Sequence, residues 1–555
     1  MFPPVDTLGE NGSGTVFKGV QAPMTVGHFA ARAWAAAGGD PAMLHRLGSP
    51  APPVPLRSRL DAAGLLAGTM GAASLAFAAL AVSGGPAARA APAATASAPA
   101  GLEGPWVRLD GRRIAASARS DRLFRLDGQP PRAWAPLSGF WPAADGWVRT
   151  HANYPHHEER LRALLGIGPG TADETATARV AEVIGALSAR ELEDRAAAAG
   201  AVVVAVRRPE EWAAHPQGRA VAAEPLIGVR EIGGAVPGRK PPGAAAGDLP
   251  LRGVRVLDLT RVIAGPVATR ALAFAGAEVL RVDPPHLPEA AWQHLDTGQE
   301  KRSTLLDLRS PEGRRKFEEL LADADVLVTG YRPGALGAFG LSTEELAARH
   351  PGLVVGRVSA WGHTGPWADR RGFDSIVQAA SGIAVIEGVA AGEDVRPGAL
   401  PAQALDHAAG HLLATALTLA VAARREDGRG RAVSVSLARV AAELMAAPAP
   451  DEAGSRALAS YGPRNTACPA SASSTGAPAS ASAAGSQTGG GRRDGRGSGA
   501  PGEQEEAPTV TGRTPAGVLV CAAPALDFPG APSGYAHMGG LWGADAPAWR
   551  ADARP

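Results

Sequence analysis

The chain has 555 residues, enough for more than one folded domain with a sizeable core. Its 55 lysines and arginines nearly balance 54 aspartates and glutamates, so no strong overall field would attract nucleic acid or a membrane surface. Only two cysteines occur, Cys468 and Cys521, which excludes a disulfide framework or a cysteine-based zinc cluster and fits a reducing cytoplasm.

The first hundred residues are rich in alanine. The opening MFPPVDTLGENGSG has neither a basic n-region nor an apolar h-region, so we expect no cleaved signal peptide. No residue between Asp61 and Arg89 is charged, and this stretch is long enough to cross a bilayer. Its alanines and glycines contribute little transfer free energy, which favours a buried helix over a membrane span. We assign residues 1–101 to an Ala-rich helical segment and linker.

Small residues, proline and glycine mark three linker-like segments, because such compositions bury too little apolar surface to offset the entropy of ordering. These segments are 84–101, 233–248 and 465–507. Residues 102–232 combine the strand-like Gly146–Thr150, the helical pattern HEERLRALLG and the apolar run AVVVAV, which predicts a small α/β domain. The remaining boundaries are a linker at 233–250, a core at 251–447, a low-complexity insert at 448–507 and a C-terminal segment at 508–555.

Within the core, short apolar runs alternate with helical stretches. The runs are VRVLDL, EVLRVD, TLLDL, DVLVTG and LVVGRVSAW. This alternation predicts a parallel sheet with helices on its faces. Ligands of such sheets bind beyond the carboxyl ends of the strands, so the loops after these runs are the expected site. Residues 406–425 are predicted to form one apolar helix, DHAAGHLLATALTLAVAARR.

Common catalytic signatures are missing from the sequence. It contains no Walker loop, no GxGxxG after a strand, no HExxH and no GxSxG. His151, His156, His157 and Glu158 could be read as metal ligands, but their spacing matches no common zinc pattern. A packed or surface histidine group is the better interpretation, and we expect no metal.

Five segments in order resemble family III CoA-transferases of the CaiB/BaiF type, similar to formyl-CoA transferase. They are LRGVRVLDLTRVIAGPVATRALAFAGAEVLRVD, KRSTLLDLRSPEG, ADVLVTGYRPGALGAFG, GFDSIVQAASG and GALPAQALDHAAG. The earlier FWPAADGWVRTHANYPHHEERLRALLG resembles the family's smaller domain, which usually follows the large one. The resemblance implies a Rossmann-like parallel sheet in a large domain, a smaller α/β domain and an interlocked homodimer. It also implies acyl-CoA and a carboxylic acid as substrates.

The resemblance implies that Asp406, in LDHAAG, is a nucleophilic aspartate. A carboxylate that attacks a thioester carbonyl gives a mixed anhydride and CoA thiolate, which divides a difficult exchange into easier acyl transfers. Asp406 opens an apolar helix, and we expect the helix dipole to favour its ionised form. The alternative is an ordinary N-cap aspartate.

For CoA binding, the resemblance implies contacts from the backbone of Val262, Ile263 and Ala264 and from the side chains of Tyr331, Arg309 and Arg371. Each arginine could instead be a solvated surface charge. Pro284, Gly330 and Ala338 replace residues that the family often uses for such contacts. The family's glycine-rich shielding loop has no evident counterpart, since the glycines at 489–491 lie in the low-complexity tract.

Two other functions remain open. The α-methylacyl-CoA racemases of this fold carry a histidine in a GHD motif, where this chain has GFD with Phe373, and phenylalanine cannot accept a proton. His407 and His411 could replace that histidine. A CoA-binding protein without turnover is the second alternative.

Overall fold

The computed structural model of the chain describes residues 27–83, 104–236, 248–391, 394–448 and 507–550. The expected linker at 84–101 and most of the one at 233–248 lie outside these ranges. So do Cys468, the glycines at 489–491 and all but the last residue of the tract predicted at 465–507.

The elements before the core are helices and short strands. In chain order they are α1 (His28–Ala36), α2 (Ala62–Ser83), α3 (Gly111–Ala118), α4 (Ser120–Leu123), β1 (Arg125–Leu126), β2 (Phe140–Ala143), β3 (Gly146–Thr150), α5 (Pro155–Leu164), α6 (Asp173–Gly185), α7 (Ala189–Ala199), β4 (Val203–Ala205), α8 (Pro209–Ala214), α9 (Pro216–Ala223) and β5 (Gly228–Ile232). Strands β2, β3 and β4 form an antiparallel sheet. Trp141, Val148, Leu161, Val180 and Leu192 share a separate apolar core beneath this sheet. We call residues 137–223 the front unit.

The core forms a seven-stranded sheet that is parallel except at one edge. Its elements are β6 (Arg255–Leu259), α10 (Ala264–Phe274), β7 (Glu278–Asp283), α11 (Ala291–Asp296), β8 (Lys301–Leu305), α12 (Pro311–Ala322), β9 (Val326–Thr329), α13 (Thr343–Arg349), β10 (Val354–Ser359), α14 (Asp374–Ser381), α15 (Ile383–Ile386), β11 (Val389–Ala391), β12 (Asp394–Arg396), α16 (Ala404–Asp427), β13 (Gly430–Ser436) and α17 (Leu437–Ala446). The strand order is β5-β13-β10-β9-β6-β7-β8. Successive residues of a strand face opposite sides, so Val256 joins the apolar cluster under α10 and α16 whereas Leu257 joins the one under α12 and α13.

Two helices of the described residues are long and apolar enough to cross a bilayer, Ala62–Val82 and Ala404–Asp427. The apolar windows of these helices are 83% and 94% buried, and the helices pack against each other. Small side chains on α2 allow this close packing, because alanine and glycine leave room for the facing backbone. The uncharged stretch after Asp61 therefore forms a core helix, as its composition predicts.

Segments that the sequence separates share sheets in the structure. Strand β5, inside the predicted domain 102–232, pairs antiparallel with β13 at one edge of the large sheet. Strands β14 (Thr509–Thr514) and β15 (Gly517–Ala522) form a hairpin that pairs with β1. Oδ2 of Asp545 also accepts the backbone N–H of Ser303 on the other edge strand, β8, and the backbone N–H of Asp545 donates to the carbonyl oxygen of Ser303. Edge strands need partners for their free backbone groups, and the sequence does not specify which segment supplies them.

Candidate active site

The first βα turn of the large sheet is held in a strained conformation. Val262 has a φ of 70°, which is uncommon for a β-branched residue. Its N–H donates to Oε2 of Glu289 at 3.1 Å, and Glu289 is itself buried. The turn is therefore fixed before any ligand binds. This places the backbone of Val262, Ile263 and Ala264 at the carboxyl edge of the sheet.

A buried polar network supports the same turn from below. Oδ1 of Asp258 accepts hydrogen bonds from the backbone and hydroxyl of Thr260, and its Oδ2 accepts from Thr269 and from Nζ of Lys301 at 3.2 Å. Burial lowers the pKa of Lys301 to about 8, although Asp258 opposes this effect. The ion pair ties β6, β8 and the first two turns of α10 together.

Asp406 lies in the first turn of α16, with 6% of its surface exposed. Oδ2 of Asp374 accepts the backbone N–H of Leu405 at 2.9 Å and of Asp406 at 3.1 Å. Asp374 is the first residue of α14, and its other oxygen accepts the side-chain amide of Gln378. Since a helix start leaves N–H groups without partners, Asp374 caps α16 from another helix and fixes the position of Asp406.

This arrangement excludes the N-cap alternative for Asp406. The N-cap position belongs to Gln403, and Asp406 makes no capping hydrogen bond with its side chain. Gly410, one turn later, lies on the same face of α16, and a Cβ there would be 2.6 Å from the carbonyl oxygen of Ala264. The glycine allows close contact between α16 and α10, so the face that carries Asp406 meets the start of α10.

The electrostatics of Asp406 differ from the sequence-based expectation. Burial raises its pKa well above the usual range, and the neighbouring Asp374 raises it further. Burial also raises the pKa of Asp374 to about 6, against the hydrogen bonds from Gln378, Asp406 and Leu405. The expectation that the helix dipole keeps Asp406 ionised was wrong, because desolvation and a like charge outweigh a dipole contribution of about 1 kcal/mol.

The front unit contributes histidines to the wall beside Asp374. His151 follows β3 and stacks on Phe373, with ring centroids 3.6 Å apart and an interplanar angle of 4°. His157 of α5 lies edge-on to Phe373 at 5.6 Å. Burial lowers the pKa of His151 to about 3 and of His157 to about 2, so both rings are neutral. The two Nδ1 atoms are buried without a hydrogen-bond partner among the described residues.

A second contact joins the front unit to the first βα turn. The Tyr154 hydroxyl donates to Oε1 of Glu289 at 2.5 Å. Burial acts to raise the pKa of Glu289, but the charges of Arg281 and Arg261 outweigh it and lower that pKa. Glu289 therefore stays ionised and accepts hydrogen bonds from both Tyr154 and Val262. The front unit and the turn are connected through one carboxylate.

Comparison with known proteins relates the core of the chain to one family. The model of CoA-transferase family III matches residues 251–475. The alpha subunit of succinyl-CoA–L-malate CoA-transferase from Chloroflexus aurantiacus is 32% identical over 243 residues, which cover 41% of this chain and 53% of that protein. Residues 251–475 match CoA-transferase family III.

Further proteins match over part of the chain. Human succinyl-CoA:glutarate CoA-transferase is 37% identical over 161 residues, covering 27% of this chain and 37% of that protein. A hypothetical protein from Mycobacterium tuberculosis, known from a crystal structure, is 33% identical in sequence to this chain. The alignment covers 35% of this chain and 57% of the M. tuberculosis chain, with a TM-score of 0.33. The chain spans about half the length of the curated relatives that it matches first.

The other side chains predicted to bind CoA differ in how far they are buried. Tyr331 is half-buried, and burial raises its pKa to about 12. Arg371 is half-buried in the loop before α14. Arg309 is exposed and paired with Asp307 at 2.9 Å, which matches the solvated-charge alternative. A role for Arg309 in CoA binding stays a prediction.

The histidines of α16 lie on another side of the helix. His407 and His411 are buried, and burial followed by the charge of Arg270 lowers the pKa of His407 to about 3. His411 lines a small cavity with Arg270 and Tyr535, away from Asp374. No group of metal-binding side chains occurs in the described ranges.

The sequence did not single out three residues that build the site: Asp374, Glu289 and Tyr154. Asp374 stands inside the quoted motif GFDSIVQAASG, directly before a helical pattern, and this position was its signal. Glu289 and Tyr154 lie 135 residues apart and had no local signal. A cavity of about 310 Å³ lies between α12 and the turn at 337–341, and no residue of the Asp406 group lines it.

Proposed function

We propose that this protein transfers CoA from an acyl-CoA thioester to a carboxylic acid, with Asp406 as the nucleophile. One observation carries the proposal: a buried carboxylate that accepts no hydrogen bond from the described residues is held on the helix face that meets the first βα turn. Such a carboxylate keeps its lone pairs available. A carboxylate with a raised pKa is also a stronger nucleophile once it is ionised.

The transfer needs no net proton movement. An oxygen of ionised Asp406 attacks the thioester carbonyl, the C–S bond breaks, and CoA leaves as thiolate with the bonding electrons. The thiolate then attacks the aspartyl carbonyl of the mixed anhydride, which releases the first acid and leaves an aspartyl thioester. The acceptor carboxylate repeats the two steps in reverse and regenerates the Asp406 carboxylate.

The relatives support the reaction and suggest the acids to test. Their names state transfer from succinyl-CoA to L-malate and to glutarate, which are dicarboxylic acids. Because the chain spans only about half of these proteins, we take both the activity and the acid class as proposals. The front unit, which resembles the family's smaller domain, would complete the site in this chain. A homodimer stays a prediction.

A trapping experiment tests the proposal. The purified chain is incubated with succinyl-CoA and a panel of other acyl-CoAs, quenched, and digested for peptide mass spectrometry. We expect an acyl or CoA adduct on the peptide with Asp406, absent from Asp406→Ala. Asp427→Ala, exposed at the far end of the same helix, is the matched control and should keep the adduct. CoA binding without an adduct from any thioester would instead indicate a binding protein without turnover.

Proton exchange next to the thioester carbonyl is a second candidate function. The observation that favours it is the pair of neutral rings, His151 and His157, packed against Phe373 where the racemases carry a histidine. A neutral imidazole can accept a proton, although the lowered pKa of both rings makes them weak bases. Incubation of a branched acyl-CoA in D₂O, followed by NMR, would show deuterium at the α carbon if this reaction occurs. Loss of that exchange in Asp406→Ala, but not in His151→Gln or in His157→Gln, would exclude both histidines as the base.

A further inference from the structure

Helices α2 and α16 begin with related sequences. Residues 59–69 are RLDAAGLLAGT and residues 405–415 are LDHAAGHLLAT, and five of the eleven aligned positions are identical without a gap. The hydroxyls of Thr69 and Thr415, one of the identical pairs, each donate to the carbonyl oxygen four residues earlier, at 2.9 and 2.8 Å. The two helices therefore match in sequence and in this hydrogen bond.

The starts of the two helices are capped in the same way by a carboxylate from another helix. As described above, one oxygen of Asp374 accepts the backbone N–H groups of the second and third residues of α16. One oxygen of Glu387, which follows α15, likewise accepts the backbone N–H groups of Arg59 and Leu60, each at 3.0 Å. These are the same two positions of the alignment. Leu60 therefore stands where Asp406 stands in α16.

The helices before α2 and α16 correspond as well. Residues 29–38 are FAARAWAAAG and residues 373–382 are FDSIVQAASG, and four of the ten aligned positions are identical. Both stretches end on a glycine with a positive φ, 80° at Gly38 and 100° at Gly382. Glycine adopts this conformation without strain. The chain thus leaves α1 and α14 through similar turns.

The segments after α2 and α16 extend the correspondence. Residues 106–116 are WVRLDGRRIAA and residues 432–442 are AVSVSLARVAA. Helices α3 and α17 begin at the same position of this alignment, directly after the capping residues Asp110 and Ser436. The side chain of each cap accepts the backbone N–H of an arginine three residues later. Three successive helices therefore recur in the same order, and we call residues 29–118 the first copy and residues 373–446 the second copy.

The two copies meet as the subunits of a symmetric dimer would. The corresponding helices α2 and α16 pack against each other, and contact between corresponding surfaces is what a two-fold axis produces. Polar contacts also cross between the copies. Arg32 of α1 pairs with Glu443 of α17 at 2.6 Å, and Glu387 of the second copy caps α2 of the first. The first copy thus covers a face of α16 that is apolar along most of its length.

The first copy has lost the carboxylates of the candidate active site. Ala30 stands where the second copy has Asp374, and Leu60 stands where it has the nucleophile. Asp61, the next residue, is an ordinary N-cap, because its Oδ1 accepts the backbone N–H of Gly64 at 2.8 Å. The first copy therefore keeps the packing surface of the second copy without its reactive groups.

We propose that the first copy is a degenerate duplicate of the second and takes the place of a partner subunit against α16, so that the protein works as a single chain with one active site. The partner that this face of α16 fits, another copy of the same helical segment, is supplied by the chain itself. The inference replaces the homodimer expected from the family resemblance with a monomer. Its count of active sites rests on the proposed function, whereas the covered face does not.

Sedimentation velocity of the full chain, from nanomolar to high micromolar concentration and with or without CoA, tests the monomer. We expect the mass of one chain throughout, and the mass of two chains at any of these concentrations would overturn the inference. The trapping experiment counts the sites. We expect one adduct per chain, on Asp406, and none on the peptide that carries Asp61. An adduct on the Asp61 peptide would show that the first copy is active and would contradict the inference, whereas no adduct at all would refute only the proposed function.

Hydrogen exchange of the full chain, followed by mass spectrometry, tests the covered face. The double variant Arg32→Ala/Glu387→Ala removes two contacts that cross between the copies. We expect the amides of both α2 and α16 to exchange about tenfold faster, as for lost charge-assisted hydrogen bonds. Faster exchange in α2 alone, or in neither helix, would show that the first copy does not protect α16.

The control for the exchange experiment is an exposed ion pair of the front unit. Arg179→Ala/Glu182→Ala removes that pair from α6 and should leave the exchange of α2 and α16 as in the wild type. Should the variant with both crossing contacts removed fail to fold, Arg32→Ala alone gives the same comparison between α2 and α16. The inference then stands only if both helices exchange faster in Arg32→Ala than in the control.

Discussion

Substitution of Asp374 by asparagine tests the electrostatic coupling between the carboxylates of Asp374 and Asp406. The asparagine side chain would keep a carbonyl oxygen to accept the N–H groups of Leu405 and Asp406 but would remove the negative charge. Two like charges roughly 5 Å apart repel by about 3 kcal/mol at an effective dielectric constant of about 20. That energy corresponds to about two pH units in the pKa of the remaining carboxyl.

The sign follows from the raised pKa of Asp406. The nucleophile is the carboxylate, so the rate of adduct formation rises as pH increases through the pKa of Asp406. Asp374 is itself ionised above about pH 6 and then opposes ionisation of Asp406. Asp374→Asn should therefore move the rising limb of the pH profile toward acid by about two pH units at most.

The assay is rapid-quench measurement of the Asp406 adduct between pH 5 and 9. Asp427→Asn removes a carboxylate at the other end of α16 and should leave the profile in place. A profile of Asp374→Asn that is unmoved, or that moves toward alkali, would refute the idea that a like charge controls this nucleophile. Gln378→Glu offers the opposite change, and it should move the rising limb toward alkali.

Two further predictions concern the support of the βα turn. Tyr154→Phe removes a hydrogen bond to the buried, ionised carboxylate of Glu289. We expect the Kd for CoA to rise by roughly tenfold, corresponding to about 1.5 kcal/mol. An unchanged Kd would show that Glu289 positions Val262 without the hydrogen bond from Tyr154. Lys301→Met leaves the buried carboxylate of Asp258 without its cation, which should lower the free energy of unfolding in urea by about 3–5 kcal/mol. Recovery of that stability in the double variant Lys301→Met/Asp258→Asn would confirm the cause. An unchanged urea midpoint in Lys301→Met would contradict it.

Local sequence pattern predicted the large sheet well because its strands are buried on both faces. The runs VRVLDL, EVLRVD, DVLVTG and LVVGRVSAW correspond to β6, β7, β9 and β10, since continuous Val and Leu are typical of parallel strands. The run TLLDL was placed too late, because β8 is Lys301–Leu305. The first residue of β8 is the buried Lys301, which is paired with Asp258. Because a lysine is polar in any hydropathy pattern, the pattern did not include the start of this strand.

The parts of the site that depend on distant contacts were beyond local pattern. The position of Asp406 came from a motif, but its raised pKa depends on Asp374, 32 residues away, and on burial that only the folded chain creates. The stacking of His151 on Phe373 joins the residue after β3 in the front unit to the residue before α14 in the core. The spacing of residues in the sequence does not predict contacts between distant residues when each of them lies in a segment with a common helix or strand pattern.

The hydrogen bond between Tyr154 and Glu289 also determines how assembly of the site depends on protein concentration. When two parts of a site come from different molecules, their assembly follows mass action and weakens as the protein is diluted. Here the front unit and the core belong to one polypeptide, so the contact has an effective concentration set by the intervening chain. The fraction of molecules in which His151 and Tyr154 meet the core is then the same at nanomolar and at micromolar protein.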